Sequence, residues 1–267
     1  MGKINNIVSN KEEERKEEVR AWLTEKMQWY NSKQGNLKGY NCTKCKNRGD
    51  FCYINNEGYE MYRDCECMQV RRNIANANAS GYGDALRGKT FEKFNIENEW
   101  QKSILTKAKQ FTFSKSKWFA ILGQSGVGKT HICATIAREL LLKGMSVRLM
   151  KWVEDSNKLK ARVNTPAEYD ALFDTFKNAE VLVVDDLFKN EPTQADIRLA
   201  FELLDYRYVR CKSGYNAITI INSEKLFDEL TRIDGAIAGR IKEMTGDYLI
   251  KIFGKEKDIR LTSNFNN

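Results

Sequence analysis

An eight-residue stretch, GQSGVGKT at residues 123–130, constrains the fold of this chain more than any other. It fits the phosphate-loop pattern G-x-x-x-x-G-K-[ST], in which glycines let backbone N–H groups converge on phosphate oxygens. The apolar run at 118–122 is typical of a buried strand, and residues 130–143 show the spacing of a helix. An ordinary glycine turn is the alternative, but a strand before and a helix after favour a nucleoside triphosphate site.

The residues of this loop have distinct expected roles. We expect Lys129 to contact the β- and γ-phosphates and the Thr130 hydroxyl to bind Mg²⁺. His131, the only histidine of the chain, follows directly, and we expect it to serve packing rather than catalysis. The residues predicted to bind the nucleotide here are Gly123, Gln124, Ser125, Gly126, Val127, Gly128, Lys129 and Thr130.

Two adjacent aspartates, Asp185 and Asp186, follow the apolar residues 181–184, which is the Walker B pattern. We expect Asp185 to bind Mg²⁺, and Asp186 to orient the attacking water toward a phosphate that already carries much negative charge. A strand intervenes in sequence between this pair and the phosphate loop, and the chain has no guanine-reading N-K-x-D motif. These features favour an ATPase over a kinase or a GTPase.

Apolar runs alternate with helical segments through the second half of the chain. The predicted strands cover 118–122, 146–152, 181–184, 216–222 and 248–252, and the predicted intervening helices 158–163, 167–176 and 195–209. Such alternation predicts an α/β fold with a parallel sheet covered by helices on both faces. Asn222 ends the fourth strand, and we expect it to reach the γ-phosphate or the attacking water, although a turn residue is the alternative.

Four cysteines, Cys42, Cys45, Cys65 and Cys67, form two pairs that are separated by 19 residues with the pattern of a β-hairpin. Two pairs at the ends of a hairpin can form a tetrahedral zinc site, and a unit this small needs such a cross-link. A redox C-x-x-C motif predicts no second pair, and disulfides are disfavoured in a reducing cytoplasm. Cys52, inside the hairpin, is expected to pack between strands or to replace one ligand.

The first 40 residues predict a helix that starts near Ser9, with apolar side chains along one stripe. That stripe contains Val19, Trp22, Leu23, Met27 and Tyr30. The stripe either packs on its own domain or docks a partner. No apolar run approaches the roughly 20 residues that span a membrane, and no signal segment is present, so we expect a cytoplasmic protein.

The chain of 267 residues has a formal net charge of +8, which permits nucleic acid as a partner. Lys158, Lys160 and Arg162 cluster after the second predicted strand and are candidate contacts to single-stranded DNA; a solvated basic helix face is the alternative. Arg240, in the run AIAGRIKEM, is either a solvated surface residue or an arginine finger for a neighbouring subunit.

These parts together resemble the DnaC/DnaI-type bacterial and phage helicase loaders. The resemblance rests on the four-cysteine hairpin, on KTFEKFN at 89–95, and on GQSGVGKTH, VVDDLF and FELLDYRY. The IstB transposition ATPases are similar over the second half. The resemblance implies an AAA+ P-loop core with strand order 5-1-4-3-2, binding ATP and Mg²⁺, and an N-terminal domain that grips the hexameric replicative DNA helicase while the core handles single-stranded DNA.

The resemblance also implies a division of the chain and further site residues. It places a helicase-binding helix and zinc hairpin at 1–75, a linker at 76–95 and the AAA+ domain at 96–267. Asn222 matches the sensor I position, Arg240 falls in the arginine-finger region of an ATP-dependent homo-oligomer, and Arg260 resembles the sensor II arginine that contacts the nucleotide.

Two classes of function follow from this resemblance. The first is an ATP-dependent loader that places a replicative helicase on single-stranded DNA, with low basal ATP hydrolysis. The second is an IstB-like DNA-binding ATPase that assists transposition. The cysteine hairpin favours the loader, and the complete pair Asp185–Asp186 disfavours a nucleotide-binding adaptor without turnover.

Overall fold

Residue contacts divide the chain into two compact units, Met1–Ile74 and Ala75–Asn267. The computed structural model describes residues 2–79, 82–254 and 257. The first unit contains helix α1 (Gly2–Ser32), strands β1 (Asp50–Ile54) and β2 (Glu60–Asp64), and the start of helix α2 (Cys67–Ala79). The helix α1 begins at Gly2, so the capping-box spacing at Ser9 does not mark a helix start, because the helix already runs through that position.

The hairpin of the first unit is antiparallel, and α1 contacts its strand β1. The Asn31 side chain donates to the Cys52 carbonyl at 2.8 Å and accepts from the Cys52 N–H at 3.1 Å, which satisfies both backbone groups of that residue. The Tyr30 hydroxyl donates to Asp50 at 2.9 Å, and Lys26 pairs with Glu60 at 2.6 Å. These bonds fix the end of α1 on one face of the hairpin.

The second unit is built on a parallel sheet of five strands, with helices between them. The strands are β3 (Trp118–Gly123), β4 (Val147–Lys151), β5 (Val181–Asp185), β6 (Ile218–Ser223) and β7 (Leu249–Ile252). The helices are α3 (Tyr82–Leu86), α4 (Glu99–Phe111), α5 (Lys129–Leu142), α6 (Trp152–Ala161), α7 (Pro166–Lys177), α8 (Gln194–Lys212), α9 (Phe227–Ile233) and α10 (Gly235–Thr245).

The strand order β7-β3-β6-β5-β4 confirms the predicted order 5-1-4-3-2. Every residue of β3 and β6 is buried, as expected for central parallel strands covered on both faces. The parallel order brings the carboxyl ends of β3, β5 and β6 to one edge of the sheet. The phosphate loop, the acidic pair and Asn222 follow those ends, so the topology brings these three elements together.

Two stretches differ from the sequence prediction. Trp152 was expected to end the second strand, but it begins α6, because the Asp155 carboxylate accepts from the Lys151 N–H at 2.9 Å and caps the new helix. The stretch 76–95 was expected to be a linker. Instead it contains the end of α2 and all of α3, and four of its side chains are buried: Tyr82, Leu86, Phe91 and Phe94.

Arg207 on α8 is fully buried, and carbonyl and hydroxyl oxygens surround its guanidinium. Its donors reach the Thr219 hydroxyl at 2.8 Å, the Ile218 carbonyl at 2.6 Å and the Ala179 carbonyl at 2.8 Å. Burial lowers the pKa of this guanidinium to about 10. The side chain therefore connects α8 to β6 and to the segment that precedes β5.

Replacement of Arg207 by leucine is expected to lower the free energy of unfolding by about 3 kcal/mol or more, because the buried oxygens lose their donor. Arg198→Leu is the matched control, since Arg198 is exposed on the same helix. Chemical denaturation of both variants checks this. Equal midpoints for the two variants would show that the buried guanidinium contributes nothing.

Candidate functional site: the nucleotide cleft and the cysteine cluster

The phosphate loop turns sharply between β3 and α5, and glycines occupy the turn. Gly123, Gly126 and Gly128 have φ of +154°, +82° and +83°. A Cβ on Gly123 would lie 2.1 Å from the Ile252 carbonyl oxygen of the neighbouring strand, so no larger residue fits there. Gly128 is the N-cap of α5, so the loop leads directly into the positive end of that helix.

Lys129 is the first residue of α5, and its side chain is buried beneath the loop. Its ammonium donates to the carbonyl oxygens of Gly123 and Gln124, each at 2.7 Å. Burial lowers the pKa of this lysine, although the carboxylates of Glu224 and Asp186 oppose that effect. The cation therefore lies within the curve of the loop, where phosphate oxygens would be its preferred partners.

The acidic pair and Thr130 meet at the carboxyl edge of the sheet. The Thr130 hydroxyl donates to the Asp185 carboxylate at 3.3 Å, so the two oxygens predicted to bind Mg²⁺ are adjacent. Hydroxyl and carboxylate oxygens are the ligands that Mg²⁺ prefers. These two residues therefore fit the ion, which when bound would neutralise charge on the phosphates.

Asn222 connects the two aspartates and is completely buried. Its amide nitrogen donates to the Asp185 carboxylate, and its amide oxygen accepts from the Asp186 N–H at 2.8 Å. Asp186 adopts φ of +60°, a left-handed conformation that aspartate tolerates better than most residues. Asn222 thus orients the acidic pair, and its contact with a phosphate or a water stays a prediction.

A cleft of about 660 Å³ opens between the phosphate loop and the acidic pair. One wall contains Lys89, Lys93, Phe94 and Asn95, which precede the sheet in sequence. The Phe94 ring lies against Gly128, since a Cβ there would be 2.9 Å from the ring. Sequence reasoning missed this wall, because the glycine and alanine content of the preceding stretch obscured the apolar positions.

His131 joins that wall to α5. Its Nε2 atom lies 3.1 Å from the Thr90 carbonyl oxygen, and its ring centroid is 5.6 Å from that of Phe94. Burial lowers the pKa of the imidazole, which favours the neutral ring that donates to Thr90. The packing role predicted for this histidine agrees with these contacts.

Other residues proposed from the sequence lie in ion pairs. Lys158 pairs with Glu154 at 2.6 Å, and Lys160 pairs with Asp196 at 2.7 Å. Arg162 and Glu168 are 3.6 Å apart. Arg240 pairs with Asp205 on α8, away from the chain's own phosphate loop in the fold. Arg260 lies outside the residues that the structure describes.

The first unit brings the four predicted zinc ligands together. The sulfurs of Cys42, Cys45, Cys65 and Cys67 all lie within 4.8 Å of one another and are buried. The Cys42–Cys65 and Cys45–Cys67 sulfur distances are 3.8 and 3.5 Å. Tetrahedral zinc with sulfur at about 2.3 Å requires sulfur separations of about 3.8 Å. The four residues therefore fit a zinc ion.

Neighbouring groups support this cluster. The Gly49 N–H donates to the Cys45 sulfur at 3.3 Å. Burial raises the pKa of the Cys45 thiol, but this bond and the adjacent sulfurs outweigh burial, so the net pKa is lowered. Cys52 is buried outside the cluster, and the backbone bonds to Asn31 hold it against α1.

The parallel sheet, the phosphate loop and the acidic pair define a P-loop ATPase of the AAA+ class. Within that class the chain belongs to the family of IstB-like ATP binding proteins, whose model matches residues 69–236. Membership of this family implies ATP binding and ATPase activity.

Individual relatives are similar over different lengths. XkdC, a phage-like element PBSX protein of Bacillus subtilis (strain 168), is 32% identical over 230 residues, which cover 80% of this chain and 83% of XkdC. The replicative helicase loader DnaC of Escherichia coli (strain K12) is 26% identical over 151 residues, 55% of this chain and 60% of DnaC. The chain thus spans less than two thirds of DnaC.

Among solved structures, the crystal structure of DnaI shares the fold, with a TM-score of 0.50 and 21% identity over 65% of this chain and 92% of DnaI. Among the described residues, no helix is both long and apolar enough to cross a bilayer.

Proposed function

We propose that this chain is an ATP-dependent loader that binds a hexameric replicative helicase and helps to place it on single-stranded DNA. One observation carries the proposal: a four-cysteine unit with exposed aromatic side chains precedes a complete phosphate-loop cleft. The relative DnaC is a replicative helicase loader, which supports this choice. In this account ATP times the holding and release of the helicase rather than a chemical change in a substrate.

The nucleotide half would work as follows. Lys129 and the loop N–H groups bind the phosphates, Thr130 and Asp185 hold Mg²⁺, and Asp186 orients the attacking water. Arg240 of a neighbouring copy completes the site, so the protein acts as an ATP-dependent homo-oligomer and its basal turnover is low. Zinc bound by the four cysteines would stabilise the first unit.

The first unit would supply the helicase-binding surface. Trp22 and Trp29 on α1 are 59% and 60% exposed, and Val19 is also exposed. Leu23 and Met27, which share the predicted apolar stripe, are only partly exposed. Large exposed aromatic side chains are unusual for a surface that faces only water, and such residues supply much of the energy of protein interfaces.

The double replacement Trp22→Ala, Trp29→Ala is therefore expected to weaken helicase binding at least tenfold, or ~1.4 kcal/mol, while ATP binding is unchanged. The measurement is co-purification of the full-length chain with the replicative helicase of its own organism, followed by titration. Phe113→Ala is the control, because Phe113 is 82% exposed in the second unit. Helicase binding that survives the tryptophan changes would move the docking surface elsewhere.

Single-stranded DNA is the proposed second partner, at the basic side of α6. Lys158, Lys160 and Arg162 lie there, but each already has an acidic neighbour within 3.6 Å. DNA phosphates would have to replace these carboxylates, so affinity should be modest and should fall steeply with salt.

A transposition ATPase is the second candidate, and the match to the IstB-like family favours it. The two functions differ in their protein partner. Retention of the replicative helicase by the full-length chain supports the loader. Failure to retain the helicase, with tight ATP-dependent binding to duplex DNA, supports the transposition role.

A further inference from the structure

Side chains of α8 fix the guanidinium of Arg240. Its Nε and Nη2 atoms donate to the same Asp205 carboxylate oxygen at 2.8 and 2.5 Å. The guanidinium carbon lies 4.8 Å from the Phe201 ring centroid and 5.6 Å from that of Tyr208. A third bond runs from Nη1 to the Ala236 carbonyl oxygen at 3.2 Å.

This degree of restraint is more than a surface arginine needs. A free arginine side chain retains about 2 kcal/mol of rotamer entropy, which these contacts remove. The ion pair returns little stability, because the side chains of Arg240 and Asp205 remain 24% and 35% exposed and water screens their attraction. The contacts are therefore better suited to orienting the guanidinium than to stabilising the fold.

Orientation matters if the guanidinium acts on a nucleotide held by another copy. A cation that stabilises a phosphoryl transition state must be held in place, and a small misplacement can cost a large part of its effect. The carboxylate of Asp205 is the charged group that sets the direction of Nε and Nη2.

We propose that Asp205 is a positioning residue, which aims Arg240 at the nucleotide cleft of a neighbouring copy. The inference rests on the proposed role of Arg240 as an arginine finger. The competing interpretation is that the pair only joins α8 to α10 within one copy. The two interpretations differ in whether Asp205 matters in the copy that hydrolyses ATP or in its neighbour.

Mixtures of two full-length variants separate these possibilities. The acceptor is Arg240→Ala, which has an intact cleft and no finger. The donor is Asp186→Asn, which retains ATP and the finger but hydrolyses slowly. Each is nearly inactive alone, and we expect the mixture to regain ATP turnover, because donor fingers complete acceptor clefts.

The decisive donors carry a second change. We expect Asp186→Asn with Asp205→Ala to restore about tenfold less turnover than the parent donor, and Asp205→Asn to be intermediate, since the amide oxygen still accepts from Nε. Glu243→Gln in the donor is the control, because Glu243 lies on the same helix and pairs with Lys212 rather than Arg240. The ATP affinity of the acceptor and the melting temperatures of the donors should not change.

Each possible result bears on a different assignment. If the donor with Asp205→Ala restores turnover as well as the parent donor, the positioning role of Asp205 is wrong while the finger stands. If the parent donor restores nothing, Arg240 is not a finger in trans, and both the finger assignment and the inference fall.

Discussion

Replacement of Lys129 by alanine is expected to weaken ATP binding about 100-fold or more, because it removes the cation held inside the phosphate loop. In the structure the Lys129 ammonium has only loop carbonyls as hydrogen-bond partners, at 2.7 Å. The truncation therefore leaves no buried carboxylate unpaired, and the fold should be retained. Equilibrium binding of a fluorescent ATP analogue measures the change.

Asp186→Asn is the paired variant, and it should separate binding from hydrolysis. The Asp186 backbone N–H bonds to Asn222, which an asparagine at position 186 preserves, so ATP should still bind. Turnover should fall about 100-fold or more, because the neutral amide cannot orient and activate the attacking water as a carboxylate does. Wild-type turnover in both variants would refute the assignment of the cleft as the hydrolytic site.

Loss of one cysteine of the cluster should unfold the hairpin of the first unit. Folding of a small zinc unit is coupled to metal binding by roughly 10 kcal/mol, far more than two short strands provide. Cys65→Ser is therefore expected to lose the zinc ion and the hairpin, while the second unit keeps its fold and its ATP binding.

Cys52→Ser is the matched control for that experiment. Cys52 is equally buried, but it lies outside the four-sulfur cluster. We expect one zinc ion per chain in the wild type and in Cys52→Ser, and less than one in Cys65→Ser, by metal analysis under reducing conditions. A wild-type protein without zinc would contradict the site, and loss of zinc from Cys52→Ser would show that the ligand set is wrong.

The sheet and its edge could be predicted from the sequence because each signal there is local. Apolar strands, the glycine pattern at 123–130 and the pair Asp185–Asp186 each follow from a few adjacent residues. The strand order came from a family resemblance, since strand lengths alone do not specify it, and the structure confirms that order.

The wall of the cleft and the Arg207 network were not predictable in the same way. Phe94 and Thr90 contact Gly128 and His131 across more than 30 residues of sequence, and no spacing rule reports such contacts. Arg207 looks like any helical arginine in sequence, and its burial depends on three chain segments that meet around it. Long-range packing decides both.

Loading of the replicative helicase onto closed circular single-stranded DNA tests the central proposal most directly. A helicase ring must open to enter such a circle, so spontaneous loading is slow. The account predicts that the full-length chain with ATP increases the amount of helicase bound to the circle, and that Trp22→Ala, Trp29→Ala abolishes this increase while ATP binding is retained. A chain that binds ATP and the helicase but leaves loading on the circle unchanged would contradict the account.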